Sequence, residues 1–69
     1  MRVPFLGWRF VGPDGARGEG FRSAREAAEA ALRKALAARW DPKLDAETKR
    51  RLWRSLRSKG WYVEEVRPS

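Results

Sequence analysis

The chain contains no cysteine and no histidine. The first absence removes disulfides and thiolate metal sites. The second removes the commonest zinc and iron ligand and the usual general base at neutral pH. No metal or cofactor is therefore expected, and an enzyme is not expected either. The acidic residues that remain read as structural. Glu64 and Glu65 are neighbours in a strand-like segment and face opposite ways, which disqualifies them as an acid–base pair. Asp41, Asp45 and Glu47 read as turn and capping residues, and Asp14 belongs to a turn. The segment Gly12-Pro13-Asp14-Gly15 lacks the spacing and the following Lys-Ser/Thr of a phosphate-binding loop.

Long apolar runs are missing as well. Nothing approaches the roughly 20 residues that span a bilayer, so no membrane partner is expected. The opening Met1-Arg2-Val3-Pro4-Phe5-Leu6-Gly7 is too short and interrupted for a signal peptide, which makes the cytoplasm the default location. Isoleucine, asparagine and glutamine are absent too. That pattern fits a GC-rich genome, and the lack of amides and cysteine is a weak thermophile signal.

What is present is basic and aromatic. The formal charge is +7 over 69 residues, and arginine dominates, with twelve against four lysines. Guanidinium groups bind phosphate in a fork and stack on planar groups, so this balance fits nucleic acid or an acidic protein surface. The length allows one small domain over residues 1–69. A chain of this size buries only about 60% of its unfolded surface, so its core needs bulk. Four Trp, three Phe and one Tyr supply it, in place of the staples of other small domains.

The order of elements reads β-β-α-α-β. In Gly7-Trp8-Arg9-Phe10-Val11 the aromatics alternate, placing Trp8 and Phe10 on one sheet face and Arg9 and Val11 on the other. Gly12-Pro13-Asp14-Gly15 reads as a turn with proline at its second position. Residues 16–21 form the returning strand, frayed or bulged by Gly18 and Gly20. Ser23-Ala24-Arg25-Glu26 matches a capping box, opening a helix from Ala24 to about Arg39 or Trp40. Its apolar stripe is Ala24, Ala28, Leu32, Leu36 and Trp40, joined by Ala31 and Ala35, and Glu29 is spaced to pair with Arg33. Asp41-Pro42 ends it. Asp45 caps a second helix, with Glu47 in its first turn, Lys59 in its last, and Gly60 as the terminating glycine. Residues 61–66 form the last strand, and 1–6 and 67–69 read as loose ends.

This order predicts an α+β fold: a three-stranded antiparallel-type sheet with two helices packed on one face. The expected core is Trp8, Phe10, Trp61, Val63, Leu32, Leu36, Trp40, Leu52 and Leu56. Arg9, Val11, Tyr62, Glu64 and Val66 would occupy the open sheet face. In residues 7–32, a tryptophan-bearing strand, an Asp-Gly turn and Gly20-Phe21-Arg22-Ser23 leading into Glu26-Ala27 resemble the front of arm-type DNA-binding domains of tyrosine recombinases. The resemblance covers fewer than half of the residues. It implies a three-stranded sheet laid into a DNA groove with a helix behind it. This chain lacks the family's third strand between hairpin and helix, unless residues 61–66 supply it.

The strongest functional signal is residues 49–59, with six cationic side chains and no acid. At helical spacing Leu52, Leu56 and Trp53 share one side, and Arg50, Arg51, Arg54 and Arg57 share the other. The expectation is a nucleic-acid-binding module that contacts phosphates through Arg50, Arg51, Arg54, Arg57, Lys49 and Lys59, with DNA favoured over RNA. Arg9, Arg22 and Arg25 would widen the footprint. The alternative is a small adaptor or regulator, of the kind phages encode, that docks on an acidic protein surface through Trp53 and Tyr62. A homodimer is compatible with both, because a thin core with exposed strand edges gains from association.

Overall fold

The computed structural model describes residues 7–67, which form β1 (Trp8–Val11), β2 (Arg17–Phe21), α1 (Ala24–Leu36), α2 (Ala46–Ser58) and β3 (Tyr62–Glu65). This is the expected α+β order. The three strands are antiparallel with spatial order β2-β1-β3, so the C-terminal strand closes the sheet on the free side of β1. The expectation of loose ends falls mostly on residues 1–6 and 68–69, outside the described residues. Arg67, placed with the loose tail, bonds the Glu65 carboxylate at 2.8 Å.

Strand register fixes which residues share a face. Phe10 stands opposite Val63 and Gly18, while Val11 stands opposite Tyr62 and Arg17, so the expected division of the sheet into two faces holds. Phe10 is buried between Phe21 and Trp61, with ring centroids 5.9 and 6.1 Å away. Gly18 is required here, because a Cβ at that position would run into the Phe10 ring. Three residues of β1 (Trp8 to Phe10) oppose four of β2 (Gly18 to Phe21), the extra one forming a bulge beside Gly20 at φ +88°. The bulge lets Phe21 and Gly18 both face the core.

The hairpin turn sits one residue later than expected. Ala16 N–H donates to Pro13 O at 3.3 Å, and the central pair Asp14-Gly15 has φ of +60° and +79°. Two positive φ values match the twist of antiparallel strands, and Asp-Gly is among the best pairs for supplying them.

Helix α1 starts as read: Ser23 Oγ accepts from Glu26 N–H at 3.2 Å. The Glu26 carboxylate reaches Arg22 N–H, one residue before the cap, at 2.8 Å. The helix contacts all three strands and α2, so it is enclosed along two lines. Ala27 and Ala31 are fully buried, and Leu32 nearly so. The deepest residues are Ala27, Ala31 and Leu32, so the buried line turns toward Ala27 from the expected stripe, which already held Ala31 and Leu32. Of the remaining expected core, Leu56 is buried, while Trp8, Leu36, Trp40, Leu52, Trp61 and Val63 are half-buried.

The helix ends earlier than expected. Ala37 takes φ +48°, a short 3-10 turn follows over Ala37–Arg39, and the Asp41-Pro42 pair lies beyond the break. The break directs Trp40 back between the helices, where the Arg33 guanidinium lies 5.4 Å and Lys49 Nζ 5.3 Å from its ring. At the far end of α2, Gly60 N–H bonds Arg57 O and Trp61 N–H bonds Leu56 O, the double closure of a glycine-terminated helix. That closure delivers the chain into β3.

Candidate nucleic-acid interface

The apolar side of α2 is seated on the protein through Leu56, with Leu52 and Trp53 half-buried. Its opposite side carries Arg50, Arg54 and Arg57, all exposed. Their spacing of four and three residues places them within an arc of about 60° on a helix of 3.6 residues per turn. From Arg50 to Arg57 they extend about 10 Å along the axis, on the order of three 3.4 Å base steps of one DNA strand. Among the described residues, none of the three has an ion-pair partner.

The other expected site residues divide. Arg51 is exposed and pairs with Glu47 one turn back at 3.2 Å. Such a pair is worth only about 0.3–0.5 kcal/mol, little enough for a phosphate to displace the carboxylate. Lys59 is exposed at the helix end. Lys49 lies elsewhere. It is half-buried, bonds Glu29 Oε1 at 3.1 Å and lies over Trp40, tying α2 to α1. The expected Glu29–Arg33 pair gives way to this bridge, because the Arg33 guanidinium is over Trp40 as well. Lys49's inward position had a sequence signal: at about 100° per residue it lies only about 20° from Leu56.

The wider footprint also separates. Arg9 is on the open sheet face, where its Nε donates to Glu64 at 2.7 Å. That bond raises the Arg9 pKa, with nearby Glu64 and Glu19 charge adding to the effect and partial burial opposing it. Arg25 lies close to the row. With Arg50 it lines a cleft of about 480 Å³ between α1 and α2, together with Ala28, Glu29, Lys49 and Trp53. No sequence pattern marks this cleft, since it depends on how the two helices meet.

Helix α2 is held at both ends by local chemistry. Asp45 Oδ1 accepts from Thr48 N–H at 2.8 Å, and the Thr48 hydrogen bonds hold the Asp45 carboxyl below its usual range. Tyr62, the other expected protein anchor, is 45% exposed on the sheet face opposite Phe10. Trp53 and Tyr62 therefore belong to different surfaces. Among the described residues no helix is long and apolar enough to cross a membrane, and no group of three or more carboxylates is placed to hold a metal ion. No protein-family model, curated protein or solved structure is significantly similar to this chain.

Proposed function

We propose that the protein is a non-catalytic nucleic-acid-binding module that grips backbone phosphates through the arginine row of α2. The observation that carries this reading is the set of three exposed guanidinium groups at Arg50, Arg54 and Arg57 on one helical face, without ion-pair partners among the described residues. Three other basic residues of the helices are occupied: Lys49 by Glu29, Arg51 by Glu47, Arg33 by Trp40. Arginine that neutralises phosphate releases condensed counterions, which makes the affinity fall with salt. With three contacts the slope of log K against log salt on duplex DNA is about −2.7, and with Arg51 recruited about −3.6.

Titration of duplex and single-stranded DNA across salt concentrations tests this. Between about 50 and 200 mM salt, three contacts predict a loss of affinity on the order of fortyfold on duplex DNA. Affinity that is absent, or indifferent to salt, removes the reading. The adaptor alternative draws on exposed Tyr62 and half-buried Trp53, but their separation means that one flat partner surface cannot engage both. A stoichiometric protein partner captured from nuclease-treated lysate, coupled with no affinity for DNA, would favour it.

A further inference from the structure

The cleft between α1 and α2 is a second feature of the same surface, and it differs chemically from the arginine row. Its rims carry Arg25 and Arg50, both exposed and without ion-pair partners among the described residues. Trp53 forms part of its wall, and the Lys49–Glu29 bridge closes another part. At about 480 Å³ it falls within the size range of small-molecule sites. Trp53 also differs from Trp61 and Trp40. Trp61 packs beside Phe10 and Trp40 is covered by two cations, whereas Trp53 has no aromatic or cationic ring partner among the described residues.

Resting on the phosphate-binding reading, we infer that this cleft receives one unstacked nucleobase of a single strand, stacked on Trp53, while Arg25 and Arg50 hold the flanking phosphates. Arg50 belongs to both the cleft and the row, so a strand tracking Arg57, Arg54 and Arg50 reaches the cleft without leaving the helix. A base–aromatic stack is tolerant of sequence because every base has a π-face. Glu29, already bonded to Lys49, keeps carboxylate lone pairs that can accept an N–H from a base edge, a contact that an acidic side chain does not offer.

The test compares a short single-stranded oligonucleotide with the same backbone carrying abasic sugars, using the unaltered protein. The expected result is about tenfold weaker binding of the abasic strand. Trp53→Ala should lose a similar factor on the base-bearing strand and nothing on the abasic one or on a duplex. Equal affinity of the unaltered protein for the two strands overturns this inference and leaves the phosphate reading standing. Failure to bind any strand or duplex overturns both. Tighter binding of a polyglutamate peptide than of the oligonucleotide overturns the inference in favour of an acidic protein ligand. The strand comparison needs no variant, so it decides the matter even where Trp53→Ala does not fold.

Discussion

The two helices are each 13 residues long, yet they are put to opposite uses. Helix α1 holds three cations and two acids; α2 holds five cations and one acid. The larger difference is geometric. Helix α1 is enclosed along two lines, one centred on Ala27 and Ala31 and another, at Ala28 and Leu32, lining the cleft with α2. Helix α2 rests on one side, with Leu56 its buried residue, and turns a cationic row away from the protein. Stability is thus concentrated in α1, and the charge available to a ligand is concentrated in α2. A small chain gains from this division, because guanidinium groups contributing little to folding remain available for binding.

The comparison breaks most readily at its buried members. Leu32→Ala removes a side chain that is 2% exposed, which should cost about 2–5 kcal/mol in urea unfolding. For a domain this small, that is a large share of the whole stability. Arg54→Ala, on the exposed row, should stay within about 0.5 kcal/mol of the parent. Comparable losses for the two variants would remove the distinction between the helices.

Lys49 sharpens the comparison, since it is the cation of α2 that belongs to the structural side. Lys49→Ala loses both the Glu29 bond and the contact with Trp40, and a cost of about 1 kcal/mol is expected. Its effect on DNA affinity should be smaller than that of Arg54→Ala. The reverse order in a binding titration would mean that the bridge opens to bind phosphate.

The smallest effect concerns pH. Asp45 has a lowered pKa in the folded state, so its cap contributes stability above the ordinary aspartate range, and this is lost as pH falls through the lowered value. With no histidine in the chain, stability should be nearly flat from about pH 5 to 8 and should decline only in acid. Asp45→Asn keeps a capping oxygen without a titrating group, so it should make the acid decline shallower. An unchanged acid limb in that variant would show that other carboxylates set it.

Much of this architecture was legible because its signals are local. Ser23, Asp45 and Gly60 each mark a helix boundary through hydrogen bonds that span only a few residues. Alternation in Trp8–Val11 separated the two sheet faces for the same reason. The positions that departed from expectation are those decided by distant partners. The break at Ala37 accompanies the return of Trp40 to the space between Arg33 and Lys49, and no local signal announces a positive φ at alanine. Glu29 had a good partner one turn away in Arg33 but is bonded to a lysine twenty residues on. The arginine row was readable from spacing alone, whereas the cleft beside it required the crossing of two helices to be known.

The division between the helices is tested most directly by changing Arg50, Arg54 and Arg57 together to Glu and measuring both unfolding and DNA affinity on the same preparation. The expected result is a folded protein of near-parental stability whose affinity for DNA is lost at about 100 mM salt, because three attractive contacts become repulsive. A folded variant that still binds DNA as the parent does, or a variant that no longer folds, would contradict it: the row would then be either idle or structural.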